Sequence, residues 1–174
     1  MNYFKLFNLE QKFSIDIDNL SECYQTIQRT VHPDKFAHAT KQQQLVAVKK
    51  STLVNDAYQT LKNPLKRAEY MLILREVDMP SEQSSFSDNR FLMRQMELRE
   101  MLAEVKYADD LTTAVFEVSQ VLELEFEQLF KQMQIELLEN TVKSNELACE
   151  FLRKLKFYQK LHIELDRLED LFFE

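Results

Sequence analysis

Side chains able to do chemistry near neutral pH are scarce in this chain, which holds three histidines and two cysteines. His32 and His38 lie six residues apart and His162 is distant, so no Ser/His/Asp or Cys/His arrangement can be assembled. Cys23 and Cys149 are far apart with no CxxC, which indicates neither a disulfide framework nor a zinc cluster, and a reducing compartment is the simpler reading. A carboxylate-bridged metal enzyme in a helical bundle would need paired Glu-x-x-His segments. The residues three before the histidines are Arg29, Lys35 and Gln159, so that alternative lacks its ligands, and a bound-metal measurement would decide it. The sequence predicts no catalytic residue, no metal and no cofactor. What remains is the triplet His32-Pro33-Asp34, whose chemistry is recognition. Pro33 stiffens the loop, Asp34 offers a carboxylate to a cationic site, and His32 is a switchable donor or acceptor. Taken alone, the triplet is equally an ordinary turn, because Pro and Asp favour turns.

The elements around the triplet must be helices. Glycine is absent, where about 7% is usual, so turns needing positive φ must be few. Without glycine neither a P-loop nor a dinucleotide fingerprint can be written. Tyr3, Phe4 and Phe7 form a short aromatic stretch, after which Asp16 or Asp18 can cap a helix over about 19–31 that Pro33 stops. A second helix over about 41–62 places Leu45, Val48, Ala57, Tyr58 and Leu61 at spacings that suit a buried side. Asn63-Pro64 suits an N-cap followed by the first helical position, so a third helix runs through Tyr70 toward Arg75. Residues 1–76 thus form one domain, the polar stretch within 77–87 a linker, and 88–174 a second domain. In the second domain the pattern gives helices to about 107, over about 111–140 and over about 144–173. Leu111, Val115, Val118, Leu122, Phe126, Leu129, Met133 and Leu137 form one stripe on the middle helix. The expected fold is all-α, with an antiparallel three-helix bundle at the C-terminus.

Charge separates the two halves. Residues 1–76 carry 11 Lys+Arg against 8 Asp+Glu, net +3, and the remainder 11 against 21, net −10. Different partners are expected for the two, and an acidic chain argues against nucleic acid, which needs a basic stripe. No apolar run reaches the ~18 residues of a membrane span, and Met-Asn-Tyr-Phe opens neither a signal sequence nor an Arg-rich transit peptide, so a cytoplasmic protein is expected.

The context of the triplet is specific. Val31-His32-Pro33-Asp34-Lys35-Phe36 lies between two helices and is followed by Asn55-Asp56-Ala57-Tyr58-Gln59-Thr60-Leu61, Asn63-Pro64 and Lys66-Arg67-Ala68-Glu69-Tyr70. This resembles the J-domain proteins, with their third helix, break and fourth helix. The resemblance implies that His32, Pro33 and Asp34, with Arg29 and Lys35, dock on a DnaK-type chaperone and stimulate its ATP hydrolysis. Glu22 and the scarcity of basic residues on the preceding helix depart from the common J-domain pattern and suggest a specialised partner.

No Gly/Phe-rich or zinc-binding region follows. Instead Tyr70-Met71-Leu72-Ile73-Leu74 is apolar, as if the fourth helix packed on the second domain. With residues 91–100 (FLMRQMELRE) and Arg153-Lys154-Leu155-Lys156-Phe157, essentially the whole chain resembles the HscB family of J-type co-chaperones in iron–sulfur cluster assembly.

Helical geometry points to a face independently. At 100° per residue Phe91, Leu98, Met101, Leu102 and Val105 share one side, and Leu92, Met93 and Met96 fall roughly opposite with Glu100 and Glu104, Glu97 at the edge. Either that face is an exposed recognition surface or another element covers it. On the last helix Leu147, Phe151, Leu155, Tyr158, His162, Leu165, Leu168 and Phe172 form a stripe, with His162 a core histidine. Phe157 projects away from it among Arg153, Lys154 and Lys160, and is expected to be exposed on a basic face that either meets a partner or is merely solvated. By the resemblance, Leu92, Met93, Met96, Glu97, Glu100, Glu104 and Phe157 bind IscU, the iron–sulfur scaffold, for presentation to the chaperone HscA. The alternative is an unrelated client.

Overall fold

The computed structural model describes residues 2–81 and 84–173, and among them the chain is helical with no strand. It divides into two compact units, Met1–Glu76 and Val77–Glu174.

The first unit holds α1 (Tyr3–Leu6), α2 (Ile17–Val31), a 3₁₀ turn (Pro33–Phe36), α3 (Lys41–Lys62) and α4 (Pro64–Leu74). Of the two aspartates before α2, Asp16 is the cap: its carboxylate accepts from the N–H groups of Asp18 and Asn19, both at 3.0 Å. Thr40 and Gln43 close a capping box on α3. Asn63 caps α4, accepting from Lys66 N–H at 3.0 Å. The core joins Phe4, Phe7, Leu20, Val54, Ala57, Tyr58, Leu61 and Met71. Tyr24 of α2 stacks on Tyr58 of α3 with ring centroids 4.0 Å apart, and buried Arg67 of α4 donates to the Leu61 carbonyl at 2.7 Å. Arg67 thereby satisfies one of the carbonyls that the last turn of α3 leaves open.

The first half of α3 faces the other way from the expectation. Leu45 is 55% exposed and Val48 47% exposed. The inward positions are instead Gln44, Ala47 and Ser51, continued by Val54, Tyr58 and Leu61. Ser51 Oγ donates to Gln28 Oε1 at 3.0 Å, and Gln28 Nε2 returns a bond to the Ser51 carbonyl at 3.4 Å. Polar and small residues fill this end of the α2–α3 hairpin, so hydrophobicity alone selects the wrong face there.

The second unit holds α5 (Asn89–Glu104), a 3₁₀ turn (Val105–Tyr107), α6 (Leu111–Glu139) and α7 (Val142–Phe173). Asn140 ends α6 in the left-handed region at φ 52°, a conformation Asn tolerates without the glycine this chain lacks. α6 and α7 pair closely, and α5 packs against them less extensively. The core runs from Phe91, Leu98, Leu102 and Val105 through Val115, Val118 and Leu122 to Phe157, Tyr158, Leu161 and Leu165.

Candidate functional site

The His32-Pro33-Asp34 loop is built by the stop at α2. His32 caps the 3₁₀ turn, its Nδ1 accepting from Asp34 N–H at 3.3 Å. Gln44 of α3 then pins the loop exit, donating from Nε2 to the carbonyls of Ala37 at 3.0 Å and Ala39 at 3.2 Å. The result is a fixed turn whose functional atoms face water: the Asp34 side chain is 90% exposed, and Arg29 and Lys35 are exposed as well. The backbone N–H of Asp34 is engaged with His32, and its carboxylate, with one oxygen 3.5 Å from His32 Nδ1, stays open to solvent. That suits recognition of a cation by a preformed carboxylate.

The second feature lies on α5. Phe91, Leu98, Leu102 and Val105 are buried, whereas Met93 is 65% exposed, Met96 is 73% exposed, and Glu97, Glu100 and Glu104 are exposed. Leu92 is half-buried. Two exposed thioethers that share a helix face with three carboxylates, one of them paired with Arg94, on a helix whose opposite side is anchored, make an adaptable apolar surface of acidic character.

Phe157 corrects an expectation. It is 9% exposed and belongs to the core of this unit. Its ring meets Phe91 edge to face at 5.7 Å, and the Arg99 guanidinium lies 5.4 Å from its centroid. The reason is geometric: α7 contacts two helices, so its buried arc extends from Leu155 through Tyr158 and Leu161 to Phe157, wider than one stripe. Phe157 lines a small cavity of about 140 Å³ together with Arg99, Arg153, Lys156 and Lys160.

Ion pairs fasten α5 to its neighbours. Its cap Asp88 accepts from Lys154 Nζ at 2.8 Å, and the Lys154 hydrogen bond foremost holds the Asp88 carboxyl below its usual pKa. Arg94 clasps Glu125 of α6, from Nε at 3.1 Å and from the terminal nitrogen at 2.5 Å, and also reaches Glu97 at 2.7 Å. Tyr158 of α7 donates its hydroxyl to the other oxygen of Glu125. Burial alone would raise the Glu125 pKa, but the bonds from Arg94 and Tyr158 outweigh it and hold the carboxyl below its ordinary range. Tyr158 is pushed upward, by burial first and by the Glu125 carboxylate next. This triad floors a groove between α5 and α6 whose rim carries Met93 and Glu97.

Comparison with known proteins decides the family. The co-chaperone protein HscB homolog of Colwellia psychrerythraea (strain 34H / ATCC BAA-681) is 60% identical over 174 residues, 100% of this chain and 99% of the relative. The chain belongs to the HscB co-chaperone family. The HscB homolog of Shewanella amazonensis (strain ATCC BAA-1098 / SB2B) is 44% identical over 98% of each chain. Among solved structures, the chaperone HscB from Vibrio cholerae matches with a TM-score of 0.91 at 40% identity, covering 98% of this chain and 99% of that one. The human co-chaperone protein HscB matches with a TM-score of 0.88 at 30% identity, covering 97% of this chain and 82% of that one. The family model for the HSCB C-terminal oligomerisation domain matches residues 87–166, a range that contains every α5 residue named above and Phe157.

Within this HscB-family chain, the Arg94–Glu125–Tyr158 triad was the part that sequence reasoning passed over. Its signal is Arg94 itself, which falls on the apolar stripe Phe91, Leu98, Met101 and Val105 and therefore demands a partner facing it. Among the described residues no group of His, Cys, Asp or Glu is arranged to hold a metal ion, and no helix is long and apolar enough to cross a membrane.

Proposed function

We propose that this HscB-family co-chaperone is a two-ended adaptor in the cytoplasm, with no catalysis of its own. One end is the fixed loop of the first unit, where His32, Pro33 and Asp34, flanked by Arg29 and Lys35, engage an HscA-like DnaK-type chaperone and stimulate its ATP hydrolysis. The other end is the α5 face, where Leu92, Met93, Met96, Glu97, Glu100 and Glu104 hold an IscU-like iron–sulfur scaffold. Phe157 serves that face from beneath, through Phe91, rather than as an exposed contact. The chemistry belongs to the partner, and cluster transfer follows from trapping the scaffold on it.

The observation that carries this reading is the pairing of two exposed recognition features on separate compact units, each rigidly supported from below. An exposed carboxylate on a stiff turn suits a cationic docking site, and a methionine face of acidic character suits an apolar client patch edged with lysine or arginine. Joining them in one chain makes the second encounter intramolecular, with an effective concentration on the order of millimolar for a short linker. That predicts synergy between client and co-chaperone without any new contact.

Calorimetric titration of IscU tests the client end. Met93→Ala with Met96→Ala should weaken binding at least tenfold while Asp34→Asn leaves it unchanged. Undiminished affinity in the double variant would remove the scaffold from this face and leave the unrelated client as the reading.

A further inference from the structure

The positive charge of the first unit is not on the helix before the docking loop. α2 carries one cation, Arg29, against Asp18 and Glu22. Residues 35–55, by contrast, hold Lys35, Lys41, Lys49 and Lys50 and not one Asp or Glu. All four lysines are exposed, and among the described residues none has an ion-pair partner. At 100° per residue Lys41, Leu45, Val48, Lys49 and Thr52 fall within an arc of about 100° on α3. Its apolar members Leu45 and Val48 are the two that turned out exposed because Gln44, Ala47 and Ser51 take the inward positions. The face begins at the loop and is held to it by the Gln44 bonds to Ala37 and Ala39.

From this charge relocation we infer that the first half of α3 is the cationic docking face of this chain, continuing the His32-Pro33-Asp34 loop onto an acidic, partly apolar surface of the DnaK-type chaperone. The inference rests on the adaptor reading above and adds the surface that supplies its electrostatics. Lys41 and Lys49 give long-range attraction and orientation, and Leu45 and Val48 lose water on contact. Asp34 is held in register by the shared turn. α2, net −1 from Arg29 against Asp18 and Glu22, cannot supply that attraction itself. Rim charges of this kind act on association rate and salt dependence more than on the stimulated state. The face therefore sets the concentration at which stimulation occurs, and Asp34 sets whether it occurs.

The test is steady-state ATPase of HscA titrated with the full-length chain across a potassium chloride series. Lys41→Glu with Lys49→Glu should raise the half-stimulating concentration by about tenfold at low salt, as two exposed pairs turned repulsive imply, with maximal stimulation retained and the difference fading as salt rises. Lys5→Glu with Lys66→Glu changes the net charge equally on other elements and should leave the titration near wild type. Equal effects of the two pairs, or none from the α3 pair while Asp34→Asn still abolishes stimulation, would overturn the inference and leave the adaptor reading intact. Absence of stimulation by the wild-type chain would instead overturn the adaptor reading. Lysine-dependent binding to anionic phospholipid vesicles or a short DNA duplex, with an unchanged ATPase titration, would reassign the face and refute its role in docking. Helicity and thermal midpoint should match wild type, because all the substituted side chains are exposed.

Discussion

Removing the ring of Phe157 tests the packing of the C-terminal unit more sharply than any surface change. Phe157→Ala deletes an aromatic ring from a site 9% exposed, where it meets Phe91 and Tyr158 edge to face and lies under the Arg99 guanidinium. Burying a phenylalanine in a core makes Phe→Ala cost about 3–5 kcal/mol. The ring borders a cavity of about 140 Å³ that reaches solvent, so water can enter the space left behind. That argues for the lower end, roughly 3 kcal/mol, with the edge-to-face contacts supplying about 0.5–1.5 kcal/mol of it each. For a unit of this size 1 kcal/mol shifts the melting point by about 4–8 °C, so the C-terminal transition should fall by roughly 12–24 °C. Differential scanning calorimetry of the full chain measures it, with Met96→Ala as the comparison, which should move the midpoint by less than about 2 °C because that side chain is 73% exposed. A Phe157→Ala midpoint as close to wild type as that of Met96→Ala would refute the burial argument and restore an exposed ring. The result also governs how client binding is read, since Phe157→Ala weakens binding through α5 whether or not the ring touches the scaffold. Phe157→Leu, which keeps most of the apolar volume, should retain most of the affinity.

Other consequences follow from the same contacts. Arg94→Met leaves the Glu125 carboxylate half-buried with only Tyr158 to bond, and should destabilise the C-terminal unit by about 2–4 kcal/mol in urea unfolding, whereas Arg99→Met, whose Glu164 contact at 3.7 Å is exposed, should cost under about 1 kcal/mol. Glu125 has its folded pKa below the ordinary 4.5, so the stability it contributes is complete above about pH 4.5 and is lost as pH falls through the folded value. Tyr158 has its folded pKa above the ordinary 10, so its contribution is complete below about pH 10 and is lost at higher pH. Urea midpoints between pH 3 and pH 6 should therefore fall more steeply for wild type than for Glu125→Gln, and parallel curves would contradict the assignment. Gln44→Ala frees the carbonyls of Ala37 and Ala39 and should reduce stimulation of the ATPase while leaving IscU binding untouched in calorimetry.

Much of the architecture was legible because the chain has so little conformational ambiguity. With no glycine, the helix ends are marked by Asp16, Thr40, Asn63-Pro64, Asp88, Asp110 and Asn140, each of which caps through a side chain or a left-handed turn. The exposed half of α5 was legible because Met93 and Met96 fall opposite a continuous apolar stripe. What escaped is instructive in two ways. On α3 the inward positions are taken by Gln44 and Ser51, whose burial depends on Gln28 and the loop carbonyls, and a partner 23 residues away gives no local period. On α7 a single-stripe reading assumed one neighbouring helix, whereas two cover it and take Phe157 inside. The triad of Arg94, Glu125 and Tyr158 joins three helices, so only Arg94, a cation on a core stripe, announces it beforehand.

The most direct measurement is the steady-state ATPase of HscA with this chain and IscU, separately and together, repeated with Asp34→Asn. The adaptor account predicts stimulation by the chain alone, a more than additive rise with IscU present, and loss of both in the variant although it still binds IscU. Full stimulation by Asp34→Asn, or a rate with both proteins no greater than the sum of their separate effects, would contradict it.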